Sequence, residues 1–98
     1  MPTFVLMTRL DATKIHDAQG RRRTGKEWLK HVRRTCPKVK WIAHYALLGP
    51  YDFMDIFEAP SAEIAAKVSM ITLSSGALQA ESWTAIPYSR FLDLVQEI

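Results

Sequence analysis

At 98 residues, with 48% hydrophobic and 23% charged side chains, the chain has the composition of one globular domain spanning 1–98, and is too apolar for a disordered segment. Its formal net charge of +3 conceals an asymmetry: residues 9–40 hold 11 of the 13 Lys and Arg beside three acids, whereas 51–98 hold seven acids beside Lys67 and Arg90. No apolar run approaches the roughly 18 residues of a membrane span, no signal-peptide pattern opens the chain, and the single Cys36 allows neither an internal disulfide nor a four-cysteine zinc site, so the expectation is a cytoplasmic protein with no membrane association.

Thr3 to Leu10 is rich in strand formers and too short for a typical helix, which predicts a first strand. Residues 11–23 are polar and aperiodic and are expected as a loop or a frayed helical turn, with a capping box at Thr24-Gly25-Lys26-Glu27 starting a helix. Along that helix Trp28, Leu29, Val32 and Cys36 share one side, Lys30, Arg33 and Arg34 the other, and Pro37 ends it. Val39–Leu48 and Tyr51–Ala59 read as two strands of a hairpin around Gly49-Pro50. Ser61 caps a second helix through Ile64, Val68 and Ile71 that stops at Gly76; 77–86 is a fourth strand; Phe91, Leu92 and Val95 mark a short C-terminal helix.

The order βαββαβ predicts an α+β, ferredoxin-like fold: a four-stranded antiparallel sheet with two helices on one face, plus the short C-terminal helix. A sheet covered on one face should alternate apolar and polar residues, and this one does not. Tyr51, Phe53 and Phe57 share one face of their strand while Met54 and Ile56 share the other; Trp41, Ala43, Tyr45 and Leu47 oppose Ile42, Ala46 and Leu48. Two apolar faces call for a second cover, and a twofold copy of the same sheet supplies one, so a homodimer is expected, with higher assembly open.

Leu48-Gly49-Pro50-Tyr51-Asp52, continuing through 53–60, together with 65–69 and 76–87, resembles the GYD-domain family, whose Gly-x-Tyr-Asp pattern is met by Gly49, Tyr51 and Asp52. The most specific portion is the hairpin with Glu81 before Trp83; the likeness weakens over 11–40. The resemblance implies a dimeric α+β barrel. It implies little chemistry, because these are small bacterial proteins of unknown function, and related barrels span cofactor-free monooxygenases, haem enzymes and ligand sensors.

A two-residue turn pairs positions whose numbers sum to 99, setting His44 opposite Asp55, Ala46 opposite Phe53, Ile42 opposite Phe57 and Leu47 opposite Asp52, whereas a three-residue turn shifts the register by one and removes the His–Asp pair from one face. His44 and Asp55 are the candidate catalytic pair, a base and the carboxylate that orients it; the competing role is mutual satisfaction in a core or dimer seam. Candidate ligand-binding residues are Trp41, Tyr45, Tyr51, Asp52, Phe53, Glu81 and Trp83, with Trp28 as a further aromatic wall; the bland alternative is core or interface packing. Asp52 is expected to cap the hairpin, and Arg9 is a candidate mate for Glu81. Arg21, Arg22 and Arg23 form a candidate anion site. His16 and His31 lack metal-ligand spacing, so no metal is expected, and no cofactor motif occurs.

Composition and motifs therefore favour a homodimeric small-ligand-binding or accessory protein, its ligand partly aromatic and held between sheet and helices. The alternative is a cofactor-independent monooxygenase or isomerase built on the His–Asp pair; enzymatic status is left open. RNA-recognition motifs share the βαββαβ order, but the third strand here carries Asp52, Asp55 and Glu58 where those motifs carry basic and stacking residues, so no specific nucleic-acid partner is expected.

Overall fold

Seven residues of high strand propensity open the fold as β1 (Thr3–Arg9), in a computed structural model that describes residues 1–15 and 17–98. There follow α1 (Ala12–Ile15), α2 (Ala18–Thr35), β2 (Lys40–Ala46), β3 (Phe53–Glu58), α3 (Ala62–Ser74), β4 (Gln79–Ala85) and α4 (Tyr88–Glu97). The strands form one antiparallel sheet in the order β2-β3-β1-β4, which is the ferredoxin-like α+β arrangement. Phe4, Leu6 and Phe57 from the sheet share one core with Val32 and Cys36 beside it from α2 and its cap, and with Ala65, Val68 and Ile71 of α3. Phe57, Leu6, Val32 and Val68 are fully buried, and each such side chain contributes about 1.5–3 kcal/mol of transfer free energy. Polar ties hold the helices to their neighbours: Trp28 Nε1 donates to Thr72 Oγ1 (2.8 Å), Ser82 Oγ donates to the Ala65 carbonyl (2.9 Å), and the Ser69 and Ser82 hydroxyls share a hydrogen bond (2.6 Å).

Helix α2 departs from the sequence expectation. It begins at Ala18, so most of the stretch expected as a loop is helical, and the Thr24–Glu27 segment lies within the helix rather than at its start. The cap is Asp17, whose carboxylate accepts from Gly20 N at 3.0 Å. An Asp at that position satisfies an open first-turn amide as well as Thr24 would have, about two turns earlier. His16 lies outside the described residues. Helix α3 follows expectation, with Ser61 Oγ accepting from Ile64 N (3.3 Å) and Gly76 at φ 102° just past its end, a left-handed backbone that favours glycine.

The hairpin holds the expected register near its turn, with Ala46 opposite Phe53 and His44 opposite Asp55, and Leu47 N donating to the Asp52 carbonyl at 2.8 Å. Farther along, the register shifts between Trp41 and Ala43, so Trp41 rather than Ile42 faces Phe57. The extra residue, Ile42, is left 50% exposed. This bulge turns the Trp41 ring to the helix side, where its centroid lies 5.1 Å from that of Trp28 and 5.3 Å from that of Phe57. Burying the largest aromatic against two others outweighs strict alternation.

Among the described residues no helix covers the second face of the sheet. Val5, Met54 and Ile56 there are half-buried, and Tyr45 and Trp83 are exposed. Helix α4 buries none of its residues, and it leaves Tyr88, Phe91, Leu92 and Val95 in solvent. Among the described residues no helix is long and apolar enough to cross a membrane.

Candidate functional site

Between the helix-side face of the sheet and α2, with the end of α3 as a third wall, lies a cavity of about 600 Å³. That size falls within the usual range for small-molecule sites, about 300–1,000 Å³. β2 and β3 supply Trp41, Ala43, His44, Phe53 and Asp55; α2 supplies Arg21, Arg22, Gly25, Trp28, Leu29 and Arg33; α3 and the residues after it supply Thr72, Ser75 and Ala77. Arg21, Gly25, Trp28 and Leu29 recur at helical spacing, so one stripe of α2 faces the sheet across the cavity. Gly25 sits within the helix, and a Cβ built there would meet nothing within 4 Å. A helix-interior glycine costs about 0.5–1 kcal/mol relative to alanine, and here no packing contact demands it.

The His44–Asp55 pair is on the cavity wall. His44 Nδ1 lies 2.5 Å from Asp55 Oδ1, the Asp55 side chain is 7% exposed, and that of His44 is 62% exposed. The carboxylate sits behind the ring, and the imidazole is stacked on Phe53 (centroids 5.5 Å apart, 24° between planes). Burial raises the Asp55 carboxyl above the ordinary carboxylate range, and the charge and hydrogen bond of His44 draw it back only in part. With Nδ1 engaged by Asp55, Nε2 is the nitrogen left to exchange a proton with a bound molecule, the arrangement that a general base requires.

Arginine dominates the charge of the cavity. The Arg21 guanidinium carbon lies over the Phe53 ring, 5.1 Å from its centroid, while Arg22 and Arg33 line the same space. Among the described residues, none of the three forms a salt bridge, and Asp55 is the one carboxylate in the lining. Trp41 Nε1 is buried and has no hydrogen-bond acceptor among the described residues. A buried donor without an acceptor costs about 1–3 kcal/mol.

The candidates singled out from the sequence thus divide. His44, Asp55, Trp41, Phe53, Arg21 and Arg22 converge on the cavity, whereas Arg23 is exposed and outside it. Tyr51, Glu81 and Trp83 gather on the opposite face. Glu81 accepts from Tyr51 Oη at 3.0 Å, from Trp83 Nε1 at 2.9 Å and from Gln79 Nε2, so these groups, and not Arg9, are its partners. The hydrogen bonds from Trp83 and Tyr51 hold the Glu81 carboxyl below its ordinary range against the effect of burial, with Gln79 adding to them, and the same bond to Glu81 is the main cause that raises the Tyr51 phenol. Strand alternation puts Tyr51 on the face of Phe53, and the structure does not. Tyr51 precedes the first paired residue of β3, and there its side chain turns to Glu81 and meets Trp83 edge-on at 5.8 Å. Tyr45 lies on that second face, 54% exposed. Asp52 is a cap, but of β1: its Oδ2 accepts from Leu10 N at 2.7 Å. Sequence reasoning places Arg33 on the side of α2 opposite Trp28 and Leu29, whereas Arg33 lines the cavity with both, one turn beyond Leu29; Arg21 and Arg22 join α2 because the helix begins at Ala18, and Arg22, Gly25, Leu29 and Arg33 fall at i, i+3, i+7 and i+11 of one stripe.

Among the described residues, no three His, Cys, Asp or Glu side chains converge as metal ligands. No solved structure matches the chain. A relative from Thermus thermophilus, named glutamine synthetase and cystathionine beta-lyase binding protein, is 31% identical over 90 residues, covering 89% of this chain and 90% of its own length. The family profile described as the GYD domain matches residues 4–95, and with that match the chain belongs to the GYD domain family.

Proposed function

We propose that the protein is a homodimeric accessory protein that binds a small, partly aromatic molecule in the cavity between its sheet and α2. The observation that carries this reading is the cavity itself, about 600 Å³, walled by Trp28, Trp41 and Phe53 and bordered by arginines without carboxylate partners among the described residues. The Thermus relative is named for binding two enzymes, which supports an accessory role by contact with other proteins and leaves the identity of any such partner here open. Two surfaces without cover within the chain, the second sheet face and the apolar side of α4, support self-association. Native mass spectrometry on gently purified protein tests both parts. The expected result is a mass of two chains plus a small-molecule increment that is lost on denaturation. A stable monomer removes the dimer, and dimers without added mass after purification at low salt remove a tightly held ligand.

The buried Asp55 behind an accessible His44 favours a second reading, a cofactor-independent enzyme with His44 as base. Incubating the identified ligand with wild-type protein and with His44→Gln decides it: conversion by wild type alone supports catalysis, and a ligand left unchanged by both proteins rejects it.

A further inference from the structure

Resting on the cavity as the ligand site, we infer that its ligand is an aromatic oxyanion: a flat ring held among Trp41, Phe53 and Trp28, bearing a carboxylate met by the Arg21, Arg22 and Arg33 guanidinium groups. The walls have the shape and chemistry for a ring. Trp28 and Trp41 touch, their ring centroids 5.1 Å apart, and form one aromatic wall continued by Phe57, while Phe53 on the other side carries the His44 imidazole and the Arg21 guanidinium against its ring. A guanidinium held over an aromatic ring still has N–H donors to offer a carboxylate as paired hydrogen bonds.

The charge balance specifies the sign. Three guanidinium groups border the space against one carboxylate, Asp55, and that carboxylate is already committed to His44. Arg21 is half-buried and Arg22 and Arg33 are exposed, and guanidinium groups that are not paired within the protein attract an anion the more strongly where three of them border one space. Gly25 completes the case on steric grounds, because it keeps the middle of α2 free of a side chain where the helix borders the cavity.

Isothermal titration of the full-length protein at low ionic strength with 2-naphthoate, 2-naphthalenemethanol, decalin-2-carboxylate and 2-naphthyl phosphate tests the assignment. Naphthoate should bind roughly tenfold or more tightly than the neutral alcohol and than the non-planar acid, the scale of one charge-assisted hydrogen bond or one good ring contact. Arg21→Gln and Arg33→Gln, both at solvent-reached positions, should each weaken naphthoate several-fold and leave the alcohol unchanged. Gly25→Leu should abolish binding of both while circular dichroism shows an intact fold. Preference for the naphthyl phosphate over naphthoate overturns the carboxylate and keeps the oxyanion. Equal affinity for the alcohol and the acid overturns the ligand class and leaves the cavity's binding role standing. No binding of any member at millimolar concentration overturns the class, and the binding role falls with it only when native mass spectrometry also finds no bound molecule.

Discussion

The residue with the most at stake is Asp55, a carboxylate buried to 7% side-chain exposure against a single polar partner. Its pKa is raised by burial, so the folded chain retains this proton at pH values where the unfolded chain has already lost it. Stability from this group is therefore fully present below the ordinary carboxylate pKa and is lost as pH rises through the higher, folded-state value. Asparagine at 55 cannot ionise and removes that loss. Urea denaturation across the acidic range should accordingly show wild type losing stability relative to Asp55→Asn as pH rises, whereas parallel profiles would mean that His44 compensates the buried charge completely. The pairing of these two residues is legible in the sequence only for a two-residue turn, and the observed register of the hairpin selects it. The accessibility of the imidazole is not legible there, since β2 being the outer strand of the sheet decides it.

At the scale of the element, α2 unites a cap, a cavity wall and part of the core. Gly25 lies inside this helix with open space around its Cα, so Gly25→Ala should raise unfolding free energy by about 0.5–1 kcal/mol in denaturant melts, through backbone entropy and without a clash. A loss of stability instead would show that the helix bends or packs at this point in a way the open space does not indicate. The sequence misplaces the beginning of α2 because two capping patterns stand close together, at Asp17 and at Thr24. Local chemistry permits both. The longer helix prevails because it places Arg21 over Phe53 and lengthens the stripe facing the sheet, a gain that exists only once β3 is in place. The bulge in β2 has the same character: strict alternation is a local rule, and the Trp41–Trp28–Phe57 cluster is a tertiary reward for breaking it.

For the whole molecule, the open surfaces are the informative ones. A helix of ten residues such as α4 is marginal in water unless its apolar side is covered, and isolated helices shorter than about 12–15 residues gain little from their own hydrogen bonds. Since α4 buries nothing against its own sheet, the proposed second copy is where its apolar side belongs. Phe91→Glu should leave the far-ultraviolet spectrum of the chain intact and shift sedimentation from two chains toward one. An unchanged dimer would place α4 outside the interface and leave the second sheet face, with Val5, Ile56 and Trp83, as the surface that pairs.

Hydrophobic patterning, turn residues and the Gly49, Tyr51 and Asp52 pattern were enough to determine the four strands, the two main helices and the C-terminal helix, their βαββαβ order, the ferredoxin-like sheet and the family, because each depends on neighbours a few residues away or on topology rules with few solutions. Tertiary structure alone decided which side chains share the cavity. Trp41 enters it through a bulge, Arg22 through the earlier start of α2, Arg33 through the width of the α2 face that borders the cavity, and Tyr51 and Glu81 are taken to the other face, since a shift of one residue in a strand exchanges its two faces and a helix stripe is defined only by what packs against it.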